Sequence, residues 1–174
     1  MLLIFLLPHL IQAQIEIKGV GTYVGIGQIK GNSTAVTSLS GNVFFDFSLW
    51  FSEVVEFRSG FTYARKIEYF LPENREGRYY PFLRLFSLKG IIRQNLYNNF
   101  YLEEGVGIIY LNDRTFSDIN EWEPGATFNI LGGFDFSRGT YQGIKLGLGF
   151  DYGVTFTKTT ALYSLFYLQL HYSF

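Results

Sequence analysis

Residues 165–174 read "LFYLQLHYSF". Counting back from the last residue, Phe174, Tyr172, Leu170, Leu168 and Phe166 share one face of an extended chain, while Ser173, His171, Gln169 and Tyr167 share the other. This period of two is that of a β-strand. One face suits lipid and the other is mostly polar, so the strand reads as part of a wall between two solvents. A sheet that closes by pairing its last strand with its first would need no tail beyond Phe174.

Working outward from that strand, eight candidate strands fill the chain, at about 15–29, 36–51, 54–68, 79–94, 99–113, 125–137, 141–156 and 160–174. In the seventh, Ile144, Leu146, Leu148, Phe150, Tyr152 and Val154 oppose Gly143, Lys145, Gly147, Gly149, Asp151 and Gly153. In the sixth, Phe128, Ile130, Phe134 and Phe136 oppose Thr127, Asn129, Asp135 and Ser137; in the second, Val43, Phe45, Phe47, Leu49 and Phe51 oppose Asn42, Asp46, Ser48 and Trp50. The charge-bearing face is rich in glycine, as a narrow interior requires. The first and fourth strands alternate less cleanly, with Arg84 among apolar neighbours, and a bulge or register change is expected in each.

The connections Ser52-Glu53, "NLYN" and Arg138-Gly139-Thr140 are short; "KGNSTA", "LPENREGR", "SDINEWEP" and "TKT" are mostly longer and carry loop-forming residues. Alternating turns and loops fit an all-β, eight-stranded antiparallel up-and-down transmembrane β-barrel, with the short turns and both termini on the periplasmic side.

Composition agrees. The 174 residues carry 19 Phe, 13 Tyr and 19 Gly, which favour strands and tight turns over helices. A net charge of −1 with no basic block excludes the electrostatic footprint of nucleic-acid binding. The absence of cysteine excludes disulfides, thiolate metal sites, cysteine nucleophiles and a lipid-modified N-terminal cysteine. No cofactor or metal is expected.

The opening "MLLIFLLPHLIQAQ" has an apolar run from Leu2 to Leu7, a proline, and a small residue at Ala13. Residues 1–13 therefore read as a secretory signal peptide, although the n-region lacks Lys and Arg, and residues 14–174 as the barrel domain. The run is well short of the ~20 residues of a spanning helix. Cleavage would leave His171 as the histidine of the mature chain.

Glu103, Asp135, Lys145 and His171 lie at similar distances from the expected periplasmic ends of their strands, with Glu56 and Arg58 at comparable height. They are expected to form an internal ionic layer plugging a barrel too narrow for a general pore. A catalytic alternative uses His171 as base, Glu103 or Asp135 as its orienter, and Ser137 or Ser173 as nucleophile. Charge pairing is the commoner reason for such groups, and a nucleophile also needs an oxyanion site and substrate access. Glu104 would face lipid beside Phe100, Leu102, Val106 and Ile108, a costly place for a carboxyl unless it is protonated, shielded by a partner protein or displaced by a bulge, and so a candidate partner contact. Trp122, in the "SDINEWEP" loop, is another. The acids there, Asp118, Glu121 and Glu123, are more readily solvated loop charge than a cation site. "GVGTYVGIG" lacks the spacing of a nucleotide-binding loop.

With these features the chain resembles the small outer-membrane β-barrel proteins. "NNFYLEEGVGIIYLN", "ILGGFDFS" and "GIKLGLGFDYGV" are similar to the outer membrane protein β-barrel domain common in Bacteroidota. The resemblance implies an outer-membrane location in contact with lipid and lipopolysaccharide. It also implies that the row Phe166, Leu168, Leu170, Tyr172 and Phe174 is a signal read by the barrel assembly machinery. "YLEEGVG" also resembles a strand of the lipid A 3-O-deacylases, whose His-x-Ser motif would fall on "GIKLGLGFDYGV". No histidine occurs there, and none of that family's catalytic residues is carried over. The expected function is a non-enzymatic barrel acting in adhesion, partner binding through its loops or envelope integrity. The alternatives are a lipid-modifying enzyme and a soluble lipocalin-like barrel with its Phe-rich face inward.

Overall fold

A computed structural model of the chain describes residues 15–174 apart from 51, 53, 75–77 and 138–141. The expected signal peptide and the turn residues Glu53 and Arg138-Gly139-Thr140 lie outside the described residues. The alternating segments form β1 (Glu16–Lys30), β2 (Val36–Ser48), β3 (Val55–Lys66), β4 (Phe82–Tyr97), β5 (Phe100–Arg114), β6 (Glu121–Asp135), β7 (Gly143–Thr155) and β8 (Leu162–Ser173). Each pairs antiparallel with its sequence neighbours, and β8 pairs with β1 from Gly19↔Ser173 to Lys30↔Leu162, closing the barrel. Closure leaves no sheet edge unpaired, the condition for a sheet to cross lipid.

The register sets the tilt. Followed once round the barrel, partners run from Val20 through Phe45, Ser59, Leu88, Ile108, Ala126, Val154 and Leu162. The path returns to β1 at Lys30, ten residues beyond its start. A stagger of this kind inclines the strands by roughly 35–45° to the axis.

The irregularity expected in β1 is present, while β4 and the connections depart from the sequence reading. The irregularity in β1 is confined to the step between Ile17 and Gly19, and the rest of the strand alternates. β4 has no register change near Arg84: its irregular step lies between Asn95 and Tyr97. Its poor alternation arises because the inward residues Leu83, Leu85 and Ile91 are apolar too. Connections 49–54, 98–99 and 136–142 share the end of the barrel that carries β1's start and β8's finish, and 31–35, 67–81, 115–120 and 156–161 share the other. The contrast in length is weaker than expected, because β2 stops at Ser48 and β3 starts only at Val55. The two-residue turn 98–99 is the tight one, with Asn98 at φ 50° in the left-handed region that Asn tolerates.

The outward face is an apolar belt. Val24, Val43, Val106, Ile108, Leu148 and Phe166 are each at least 60% exposed, a costly arrangement in water. The inward face is buried and filled in layers. In the terminal half lies a charged layer, with Phe44, Tyr101, Leu131, Tyr23 and Tyr167 packed around it. Toward the loop end an apolar core of Ile29, Ala64, Leu83, Leu85, Ile109, Leu111, Ala161, Tyr163 and Leu165 fills the section. The charged layer expected from the sequence thus lies in the terminal half, and the loop half carries the apolar core. The Phe-rich face points out, opposite to the lipocalin-like arrangement.

Candidate functional site

The charged layer is built around Arg58, which β3 presents inward beside β2. Its Nε donates to Asp46 Oδ1 at 2.7 Å and its Nη2 to Asp46 Oδ2 at 2.8 Å. On the far side Nη1 and Nη2 donate to Glu103 of β5 at 2.6 and 3.0 Å, and Nη1 also reaches Gln169 Oε1 at 3.2 Å. Arg93 of β4 completes the layer, donating to Glu56 at 2.9 Å, Glu103 at 3.1 Å and Asp46 at 3.4 Å. Planar guanidinium forks suit this work because one group satisfies two carboxylates in fixed directions.

Of the residues named from the sequence, Glu56, Arg58, Glu103 and His171 meet in this layer. His171 Nε2 lies 3.3 Å from Asp46 Oδ2, with its ring stacked on Phe44 at 5.8 Å between centroids. Gly19 makes room for it: a Cβ there would fall on the imidazole. Asp135 and Lys145 form a separate pair at 3.3 Å nearer the terminal end. Sequence reasoning missed the connecting roles of Asp46 and Arg93. Asp46 carried a signal, since it lies on the inward phase of its strand.

A second polar centre went unread. Lys89 of β4 crosses the lumen to Asp151 of β7 at 2.6 Å. Thr127 donates to Asp151 at 2.9 Å, and the Tyr23 and Tyr163 hydroxyls reach it at 3.3 Å. At the loop rim two buried carboxylates pin connections to the barrel. Asp113 accepts from the backbone N–H groups of Asn32 and Thr115 at 3.2 and 2.8 Å. Glu123 accepts from Thr157 Oγ1 and the Thr159 N–H at 2.9 and 2.8 Å.

This arrangement does not assemble the base, orienter and nucleophile considered from the sequence. Glu103 is held by two arginines; Asp135 pairs with Lys145 and accepts from both the N–H and the hydroxyl of Ser137, but among the described residues no hydrogen bond joins either carboxylate to His171. His171 and Ser173 are both buried within the packed interior. Among the described residues no cluster of His, Cys, Asp and Glu is placed to hold a metal ion. The acids at the 115–120 connection do not converge: Glu123 points inward, and Glu121 pairs with Lys158 at 2.8 Å, raising the pKa of that ammonium through their hydrogen bond and charge.

Trp122 is corrected from a loop residue to a wall residue. It sits in β6, stacked on Tyr110 at 5.0 Å and Phe86 at 6.1 Å. Glu104 faces outward and is exposed, with Ile92 and Ile130 as register neighbours, and no described residue bonds to it. Phe166, Leu168, Leu170, Tyr172 and Phe174 all point outward and are exposed. The Phe174 N–H donates to the Lys18 carbonyl at 2.9 Å, so the β1–β8 seam extends to Phe174.

No family model and no curated protein matches the sequence, so the narrower likeness to the Bacteroidota domain rests on its motifs alone. Solved structures do match. The crystal structure of Neisserial surface protein A aligns with a TM-score of 0.62 at 10% identity, covering 90% of this chain and 96% of that one. Ail, the attachment invasion locus protein of Yersinia pestis, in complex with the heparin analogue sucrose octasulfate, aligns at 0.54 and 11% identity, covering 91% and 99%. The outer membrane enzyme PagL aligns at 0.52 and 13% identity, covering 87% and 97%. The fold is therefore that of the small eight-stranded outer-membrane barrels, a group that includes a surface protein, an attachment protein and an enzyme.

Proposed function

We propose that the chain is a non-enzymatic integral outer-membrane barrel. It works through its outer surface, in adhesion, partner binding or envelope integrity, and not through its lumen. The observation that carries this reading is the succession of packed layers along the interior, among the described residues. The Arg58 layer, the Lys89–Asp151 centre and the apolar core succeed one another, and Asp113 and Glu123 pin connections 31–35, 115–120 and 156–161 above them. Packing of this kind among the described residues supports a lumen that neither conducts nor brings a nucleophile to substrate.

The terminal end faces the periplasm in this reading, and connections 31–35, 67–81, 115–120 and 156–161 face outside. The belt contacts lipid and lipopolysaccharide. The outward row ending at Phe174 supports recognition by the barrel assembly machinery, and Glu104 is a second contact position for a neighbouring membrane protein. The test is expression of the full chain in a Gram-negative host, followed by isolation of outer membranes. The reading expects a band in that fraction whose gel mobility changes on boiling, with lipid A acylation unchanged by the protein and by its His171→Ala variant. A soluble product, or acylation that depends on His171, would overturn it.

A further inference from the structure

The outward faces of β3, β4 and β5 change character at their loop ends. Arg65 and Arg114 are register partners of Phe82 on either side, and Arg84 stands two residues along β4 from Phe82. Three guanidinium groups thus occupy adjacent strands, with Arg65 and Arg114 about 10 Å apart at the backbone, twice the strand spacing. None is joined to a carboxylate among the described residues, whose ion pairs all lie elsewhere. Neutral groups hold them instead: Arg84 Nε donates to Asn112 Oδ1 at 2.9 Å and Arg65 Nη1 to the Tyr63 hydroxyl at 3.3 Å, and aromatic rings lie against all three. Arg65 lies 3.3 Å over Tyr69, Arg84 5.4 Å over Trp122, and Arg114 5.8 Å over Phe82. Ring faces orient a guanidinium without neutralising it. The Nε atoms of Arg65 and Arg114 are buried without a hydrogen-bond partner.

Directly below, toward the middle of the belt, two apolar grooves flank Phe86. One is lined by Leu88, Ile108, Tyr110 and Pro124, the other by Val43, Phe45 and Phe61, with Ser59 as the small residue common to both. The opposite wall lacks the charges: the outward residues at the loop ends of β6, β7 and β8 are Trp122 and Pro124, Tyr152 and Val154, and Leu162 and Ser164.

We infer that this face is a binding site for a phosphate-bearing lipid of the outer leaflet, with the headgroup on Arg65, Arg84 and Arg114 and acyl chains in the grooves beside Phe86. Guanidinium forks match phosphate oxygens in pairs. The spacing of the outer two arginines allows more than one phosphate to be engaged. The grooves distinguish a lipid from a free anion, for which an apolar seat below the charge has no use. The inference rests on the outer-membrane reading above.

The experiment reconstitutes the barrel in phosphatidylcholine nanodiscs doped with diphosphorylated lipid A or with its dephosphorylated form, and reads retained lipid by native mass spectrometry. Inorganic phosphate is added as a competitor. Selective retention of the phosphorylated lipid is expected, reduced about tenfold in R65Q/R84Q/R114Q and not displaced by millimolar phosphate. Equal retention of the two lipids, undiminished retention by a folded triple variant, or displacement by free phosphate would each overturn the site. Heat-modifiable migration reports folding, and if the triple variant fails that control, the single variants R65Q, R84Q and R114Q decide by the same criterion. A wild-type barrel that does not insert overturns the membrane reading and the site with it; insertion without selective retention overturns the site alone.

Discussion

Arg58 ties two walls of the barrel together, gripping Asp46 on the adjacent β2 at 2.7 and 2.8 Å and Glu103, two strands away on β5, at 2.6 and 3.0 Å. All three side chains are at least nine-tenths buried. A buried ion pair adds little against a well-packed apolar replacement, but loss of one partner strands the other's charge and costs about 3–5 kcal/mol. Arg58→Met should therefore lower unfolding stability by that amount in urea titrations of the lipid-reconstituted barrel. Removing the stranded charges as well, in R58M/D46N/E103Q, should recover part of the loss. A change of under about 1 kcal/mol for R58M would show that the layer is solvated and not a plug.

The inward glycines are space, and the outward ones need not be. A Cβ on Gly27 would fall on the Ser164 carbonyl and the Leu165 backbone, whereas one on Gly41 would meet nothing within 4 Å. Gly27→Ala should destabilise by about 1–3 kcal/mol or prevent folding. Gly41→Ala should be neutral or stabilising by about 0.4–1 kcal/mol, since it restricts the unfolded chain at an open site. Equilibrium unfolding of the two variants side by side makes the comparison.

Glu104 presents a carboxylate to lipid between Ile92 and Ile130. Glu104→Leu should raise the stability of the isolated barrel in bilayers by about 1 kcal/mol, the scale on which outward charge is penalised below the lysine and arginine values. Loss of stability in that variant would show that the carboxylate is paired within the same chain.

These energies concern residues whose direction was legible and whose partners were not. Strand period alone placed Phe166 to Phe174 outward and Gln169 and His171 inward, because a wall between two solvents alternates strictly. It could not show that Lys89 meets Asp151, since that contact crosses the lumen between β4 and β7 and exists only after closure. Counting residues from turns gathered Glu103, Asp135, Lys145 and His171 into one layer. The stagger shifts each strand against the next, so Asp135 and Lys145 sit below the others as their own pair. The apolar loop half was hidden for a related reason: in β4 the inward Leu83 and Leu85 and the outward Phe82 and Phe86 are apolar alike around Arg84, so alternation fades, and its absence resembled a bulge.

Trp50 and Trp122 provide depth markers at opposite ends of the belt, the first beyond β2 at the terminal end and the second near the start of β6 at the loop end. In the single-tryptophan variants W50F and W122F, the remaining fluorescence should be quenched more strongly by lipids labelled near the headgroup than by lipids labelled at the chain terminus, as interfacial tryptophans require. Strongest quenching at mid-chain for either residue would displace the belt along the barrel.

The most direct test of the central claim, a membrane barrel whose interior is sealed, is conductance. The folded chain would be inserted into planar lipid bilayers in concentrated potassium chloride and held under voltage, with insertion verified by heat-modifiable migration of the same sample. The filled lumen predicts no steady channel current. A stable ohmic conductance from the verified barrel would show a continuous aqueous path past Arg58 and the apolar core, and would contradict the account.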